Sequence, residues 1–401
     1  MNPIVKKIRV AIVVSHPIQH FVHLYRALEK EDEIKLLVIF ASDIGIRSYY
    51  DKDMGVDISW KADMTTGYNS SFLPEGKKIS HTGFFSVNNP SVSRTLSDFR
   101  PDVVQLHGYA QLTLLRALLW CKLKRVPVLL WSDSSLLYKR STGKNYLKRI
   151  IIRLLMKQFH KVLTVGDNNE SYYKYYGVQE IDMYRCPFTY DEEGYHQANI
   201  NKLQIRKDLR AKYGISQEAF LLLSVGKLVP KKRPGDAIEA LCKLKNKNDA
   251  FNKISIFFAG DGALAAELKE SAFESGVDAI FGGFINIDRL PSIYAMCDAL
   301  VFLSDREPYG LAAREAIGVG LPLIVSDQIG CTGPTDAARP NVNALVYTAG
   351  DVDELASNIE KLLIGQALRA RMSEGSLQAA SELSVSKSVA GFMAALKSVV
   401  R

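Results

Sequence analysis

Short apolar runs, each ending in a small or polar residue and followed by a segment of helical spacing, recur along the whole chain. This rhythm constrains the fold more than any other feature. Val10 to Val14 runs into SHPIQHFVHLYRALEK, where Phe21, Leu24, Tyr25 and Leu28 share one helix face, and Ile34 to Phe40 is the next run. Strand, loop, helix, strand in that order predicts βαβ units with a parallel sheet. Asp102 to Leu106, after the helix that Pro101 ends, leads to His107-Gly108-Tyr109; Val126 to Trp131 leads to Ser132-Asp133, and Val162 to Val165 to Gly166-Asp167. The pattern restarts with Phe220 to Val225 and a helix over Gly235 to Lys243, then continues through Ile254 to Phe258, Ala279 to Phe281, Ala299 to Leu303 and Leu323 to Ser326. Helices over Val352 to Leu363 and Ser384 to Arg401 close the chain. Ligands of open α/β sheets bind at the carboxyl ends of strands, so the loops after these runs hold the candidate site.

A chain of 401 residues is ample for two such domains. Asp43 to Asn89 is polar and weakly periodic, which predicts long loops and short elements; polar Gln197 to Gly214 reads as linker and first helix of a second domain. Cys121, Cys186, Cys242, Cys297 and Cys331 are scattered without a C-x-x-C pair, so neither a zinc site nor a disulfide framework is expected and a reducing, cytoplasmic setting fits. The apolar run near the start is too short for the core of a signal peptide and reads as a buried strand. Lys and Arg interrupt every stretch that approaches the roughly 20 apolar residues of a spanning helix.

Charge is uneven. Met1 to Tyr190 carries 27 Lys and Arg against 17 Asp and Glu, a net +10, and the remainder 24 against 26, a net −2. A basic first half suggests an anionic partner there. Lys139 to Lys161 holds eight basic residues and no acid, with Leu147, Ile151, Leu154 and Leu155 as an apolar stripe and Arg149, Arg153, Lys157 and Lys161 on another face. Such a basic amphipathic helix suits an anionic membrane surface. An ordinary domain helix with a solvated basic face has the same pattern. Nucleic acid is not expected, because no aromatics are interleaved for stacking.

The stretch SDREPYGLAAREAIGVGLPLIVSD, Ser304 to Asp327, places Glu307 and Glu315 eight positions apart around a Pro-Tyr-Gly turn. If Tyr309 to Leu311 open a helix, its free N–H groups and positive dipole end can hold a phosphate, and Gly310 lets that backbone come close. Two acids flanking such a cradle suit a sugar nucleotide. Equally, Glu307 can complement the helix dipole and Glu315 can be a solvated helix residue; pattern alone leaves both open.

E-P-Y-G-x-x-x-x-E-A, followed by G-x-P-L-I-V-S-D, resembles the E-x7-E signature of retaining glycosyltransferases of family four (glycosyl transferases group 1). The resemblance implies the α/β GT-B fold, two Rossmann-like domains with parallel sheets facing across a cleft. It divides the chain into an acceptor-side domain at 1–192, a donor-nucleotide domain at 193–383 and a last helix, 384–401, returning to the first domain. It implies that Glu307 contacts the donor sugar, Glu315 the ribose, and the Gly310–Leu311 backbone the diphosphate. The family's Pro-Asn-Gly-Val-Asp segment is reduced to Pro187 and Asp191 in YRCPFTYDEEGY. In GKLVPKKRP, Lys227 stands where the family has Arg and Lys232 matches its Lys; two cations on a loop after a strand can clamp a diphosphate, although Arg to Lys loses bidentate geometry.

His107, at a strand end, matches a family histidine near the reacting centre, against the alternative of a buried structural histidine. His16, Gln19 and His20 stand where many members have Gly-Gly; they shape an acceptor pocket or cap a helix. Asp133 is an acceptor-side carboxylate by position only. Phe284 stacks on a base or packs in the core. No His/Asp cluster points to a metal, and Lys227 and Lys232 supply the neutralising charge instead.

The expectation is therefore a retaining, metal-independent glycosyltransferase, without cofactor, that moves a sugar from a nucleoside-diphosphate sugar to a glycan or lipid-linked acceptor in surface polysaccharide or glycoconjugate synthesis. It would be cytoplasmic, with a place for peripheral contact at the inner membrane face. A sugar-nucleotide epimerase of the same fold and a non-catalytic nucleotide-sugar binder are the alternatives.

Overall fold

The computed structural model describes residues 7–47, 49–51, 56–58, 63–137, 142–248, 251 and 253–400. The first sheet runs, edge to edge, Ser70–Phe72, Ile34–Phe40, Ile8–Val14, Val103–His107, Val128–Trp131, Lys161–Thr164, Met183–Arg185, all parallel. The second runs Asp278–Gly283, Ile254–Ala259, Phe220–Val225, Ala299–Phe302, Leu323–Ser326, Ala344–Tyr347, also parallel throughout. Strands buried on both faces need near-continuous apolar sequence, which is why Val10 to Val14 and Ile254 to Phe258 are fully covered.

In each sheet the strand order reverses once, between Ile8–Val14 and Val103–His107 in the first and between Phe220–Val225 and Ala299–Phe302 in the second. At such a switch point the two connections leave in opposite directions and open a crevice. The loops carrying Ser15, His107, Gly226 and Glu307 stand at these two crevices.

Element ends differ from the sequence reading where backbone chemistry intervenes. Val128–Trp131 starts two residues late because Pro127 lacks an N–H and serves only as acceptor, from Val104 at 3.0 Å. Val103–His107 runs one residue further, so His107 pairs with Trp131 inside the sheet. Of the linker and first helix expected over Gln197 to Gly214, the helix is Lys202–Lys212, and the linker part is itself helical, the end of Glu192–Ile200, which is capped by Asp191 accepting from Gly194 at 3.1 Å. Both pack on the second domain.

The last helix, Val385–Val399, packs on Gln19–Glu29 and on two first-domain strands. A Cβ on Gly391 would lie 1.8 Å from the Arg185 carbonyl, so only glycine permits that approach. Between them, Cys186 to Tyr190 cross from one domain to the other as buried chain without regular secondary structure.

The basic helix, Thr142–Met156, turns Ile152 and Met156 inward, while Ile151 and Leu154, placed by spacing on the apolar stripe, are each 55% exposed. The buried arc is rotated by one position. Its basic row is also partly engaged: the Arg149 guanidinium stacks 4.6 Å from the Tyr175 ring, and Lys161 pairs with Asp182 at 2.7 Å. Lys139, Arg140 and the side chain of Leu147 lie outside the described residues.

Candidate active site

Loops from both switch points line one cavity of about 470 Å³. The second domain supplies its charge. Leu311–Gly318 forms the helix, two residues later than Tyr309 would have begun it, with Gly310 as N-cap at φ 114° and no side chain capping its first turn. A Cβ on Gly310 would meet Ile329 and Phe302 at 2.9 Å and Cys331 at 3.1 Å, so the tight turn admits only glycine. The uncapped first turn faces the cavity through Gly310, Leu311 and Ala312. Backbone bonds from Gly330 to the Glu307 carbonyl (3.0 Å) and from Cys331 to the Tyr309 carbonyl (2.7 Å) hold that turn in place.

Lys232 reaches the cavity from the loop after Phe220–Val225 and its ammonium donates to Oε2 of Glu307. Gly226 sets the path of this loop, with φ 134°, and its carbonyl lies so close to Gly260 that a Cβ there would be 1.9 Å away. Glu315 also lines the cavity, one helix turn inside; its Oε2 accepts from the Tyr294 hydroxyl at 2.7 Å. Burial pushes its carboxyl up to about 7, against the hydroxyls of Tyr294 and Tyr195. The Tyr195 hydroxyl completes no hydrogen bond of good geometry among the described residues.

From the first domain come Ser15, Ile18 and His20 at the start of Gln19–Glu29, together with His107, Ser132 and Asp133. That helix also lacks a side-chain cap, so two uncapped N-termini stand near one space. His107 bonds to the Tyr25 hydroxyl through Nε2 at 3.0 Å and packs on Phe21 and Trp131 with ring centroids 4.2 and 4.7 Å away. Burial holds it neutral, well below the usual histidine range, and takes His20 down to about 3. Phe21, Trp131 and Phe188 form an aromatic wall whose ring pairs each add about 0.5–1.5 kcal/mol beyond area burial.

Glu307, Lys232, His107, Gly310, Leu311, Glu315 and Asp133 thus meet at one cavity. Others do not line it. Lys227 follows Gly226 but stays off the lining, and Phe284, half-buried beyond Asp278–Gly283, lines neither this cavity nor its neighbour. His16 faces a small separate pocket beside Gly45 and Met64, bonded to Ser15 at 2.8 Å. Gln19 lines that pocket and an adjoining cavity of about 270 Å³ that also reaches His20, Leu311 and Glu315. His20, rather than His16, is the histidine this loop gives the main cavity. Tyr25, Tyr294 and the aromatic wall were not singled out in sequence, because their neighbours are distant in the chain. Among the described residues no group of three His, Cys, Asp or Glu is placed to hold a metal.

Beyond the cavity, the loop that braces Glu307 also joins the domains. Asp167 N–H donates to Asp336 Oδ2 at 2.8 Å, Thr335 N–H to Asp167 Oδ2 at 2.9 Å, and Asn168 to the Thr332 carbonyl at 2.8 Å. Asp336 is fully buried there and its carboxyl is pushed up to about 7 by that burial.

Two parallel-sheet α/β domains that meet at their switch points define the GT-B class of folds. Over residues 205–378, within its second domain, the chain matches the model of the family Glycosyl transferases group 1. It is similar to an uncharacterized glycosyltransferase of Methanocaldococcus jannaschii, 28% identical over 158 residues that make up 39% of each chain. It is also similar to the lipopolysaccharide core biosynthesis glycosyltransferase LpsE of Rhizobium meliloti, 28% identical over 167 residues, 41% of this chain and 46% of that one. Each match thus spans less than half of the relative's length. In fold it resembles HepE of Anabaena, solved in complex with UDP and glucose, at 16% identity, 98% and 100% coverage and a TM-score of 0.71.

Proposed function

We propose that the chain is a glycosyltransferase that moves a sugar from a nucleoside-diphosphate sugar to a glycan or lipid-linked acceptor, in surface polysaccharide or glycoconjugate synthesis. The observation that carries this reading is the convergence of Lys232, Glu307, Gly310–Leu311 and Glu315 on one cavity at both switch points. Lys232 and the helix start at Gly310 face the charge that grows on a departing diphosphate, which is the main electrostatic demand of the reaction. Glu307 takes the sugar hydroxyls and Glu315 the ribose, in retaining chemistry without a metal. The UDP and glucose named for HepE support a nucleotide-sugar donor. The LpsE likeness supports a polysaccharide or lipopolysaccharide acceptor. Neither the epimerase nor the sensor alternative gains an observation of its own.

The second part of the proposal is peripheral contact with an anionic membrane surface. It is supported by Ile150, Ile151 and Leu154 exposed among Arg149, Arg153 and Lys157. No helix among the described residues is long and apolar enough to cross a membrane. The five cysteines are free, which fits a reducing compartment. A panel of UDP-, GDP- and ADP-sugars in thermal unfolding tests the donor reading, because a ligand of the folded state raises its stability by mass action. One nucleotide family should raise Tm by several degrees; no shift with any would reject it. Charge reversal of Arg149, Arg153 and Lys157 should release the protein from anionic vesicles, and unchanged co-sedimentation would remove the membrane contact.

A further inference from the structure

We propose that Asp133 receives the attacking hydroxyl of the acceptor and takes its proton. The inference rests on the glycosyltransferase reading and goes beyond it, since it names the group on the first domain that activates the nucleophile.

Asp133 follows the strand Val128–Trp131 at the carboxyl edge of the first sheet and lines the cavity opposite the second-domain groups. Asp133 is half-buried, yet no side chain among the described residues pairs with it, and its one internal bond is to its own backbone. An acid partly withdrawn from water and left without a partner costs stability. Residues that carry such a cost without structural return are characteristic of sites shaped for a ligand.

The turn that carries Asp133 is nevertheless fixed on both sides. The Ser132 hydroxyl is bonded to the Tyr173 hydroxyl at 2.9 Å, the Ser134 carbonyl accepts from Asn169 at 2.8 Å, and the Trp131 indole donates to the Cys186 carbonyl at 3.0 Å. A carboxylate on rigid backing, aimed into a cavity and bonded to nothing there, is set to accept a hydrogen bond from a ligand hydroxyl. The partner is on the acceptor side. The donor's diphosphate and sugar already have Lys232, Gly310 and Glu307 on the opposite wall, and Glu307 lies near enough to raise the Asp133 carboxyl by repulsion, after burial itself.

In the step assigned to it, the bond from the anomeric carbon to the diphosphate oxygen breaks, and the acceptor oxygen then bonds to that carbon from the face the diphosphate leaves, as retention requires. The hydroxyl proton passes to the ionised Asp133. The electron pair of the broken bond leaves with the diphosphate, held by Lys232 and the helix start at Gly310. The proton returns to water once the product has left. Burial and Glu307 both raise the proton affinity of Asp133 above that of an ordinary aspartate, which strengthens it as a base. The other titratable groups on this cavity are Glu315, Lys232, Tyr309, His20 and His107, and Tyr173 stands behind the turn.

The test is single-turnover breakdown of UDP-glucose, GDP-mannose and ADP-glucose by excess protein, with water as the acceptor, for wild type, Asp133→Asn and Asp133→Glu, beside nucleotide affinity and Tm. The inference expects Asp133→Asn to break the donor down at least about 100-fold more slowly, the lower end for general base catalysis. Its affinity for the nucleoside diphosphate should stay within about twofold, and its Tm should be unchanged or higher, because a half-buried charge is gone. The acid limb of the pH–rate profile should flatten in Asp133→Asn and persist in Asp133→Glu. Breakdown as fast as wild type, or a loss matched by a tenfold fall in donor affinity, would overturn the assignment while leaving the glycosyltransferase reading intact. A wild type that binds none of the three nucleotides would remove that reading and the inference with it.

Discussion

The ammonium of Lys232 is hydrogen-bonded to the carboxylate of Glu307, across 75 residues of sequence, and joins the loops of two strands that flank the switch point of the second sheet. Both side chains are only about one-fifth exposed, at 22% and 19%, so this pair is not a screened surface contact.

Lys232→Ala should therefore do two separable things. It should slow sugar transfer by about 100-fold or more through lost stabilisation of the leaving group. It should also cost about 1–3 kcal/mol in urea unfolding, because Glu307 is left unpaired near Asp133. Adding Glu307→Gln should recover most of the stability and none of the rate. Full recovery of activity in the double variant would show that the lysine serves only the fold.

Glu315 links the site to pH. Its carboxyl is raised to about 7 in the folded state. The protonated folded form is favoured, so this contribution is complete below the unfolded pKa near 4.5 and is lost as pH rises through about 7. Glu315→Gln should remove that decline and be about 1–3 kcal/mol more stable than wild type at pH 8, with little difference at pH 4.5. Its affinity for UDP, GDP or ADP, whichever the wild type binds, should fall about tenfold or more through the lost ribose contact. Equal pH dependence in both proteins, from urea unfolding at several pH values, would count against the burial argument.

Gly310→Ala should damage stability and binding together. The residue sits at φ 114° with Ile329, Phe302 and Cys331 in the way of a Cβ. A cost of about 2–4 kcal/mol is expected from the backbone and the overpacking. Thermal unfolding and nucleotide titration check it; a stable Gly310→Ala protein with wild-type affinity would contradict the tight-turn account.

Asp336 offers a second pH test at a residue that does not line the cavity. It caps the helix Asp167–Tyr175 of the other domain and its carboxyl is raised to about 7. The sign is the same as for Glu315: stability present below pH 4 is lost as pH rises through about 7. Asp336→Asn keeps an acceptor for the Asp167 N–H and should flatten this decline. Asp336→Ala loses the cap and should cost about 1–2 kcal/mol at pH 5.

The βα rhythm was legible in sequence because parallel strands covered on both faces must be continuously apolar, and Val10 to Val14 and Phe220 to Val225 read that way. The Glu307 to Glu315 segment was legible because turn, glycine and acids are neighbours in the chain. What sequence did not carry is pairing across distance: Tyr25 on His107, Tyr294 on Glu315, and Asp336 on a helix 169 residues earlier. Periodicity also misplaced the buried arc of Thr142–Met156, since a helix with apolar residues at 150, 151, 152, 154, 155 and 156 offers several overlapping stripes, and only packing against the sheet selects Ile152 and Met156.

The central claim is that Lys232 and the helix start at Gly310 grip a diphosphate. Calorimetric titration of UDP, GDP and ADP against their parent nucleosides measures that grip directly. For the preferred base, the diphosphate should bind at least about 100-fold more tightly than the nucleoside, the span expected from two or more charge-assisted hydrogen bonds, and Lys232→Ala should erase most of the difference. A nucleoside that binds as well as its diphosphate, or a difference untouched by Lys232→Ala, would contradict the account.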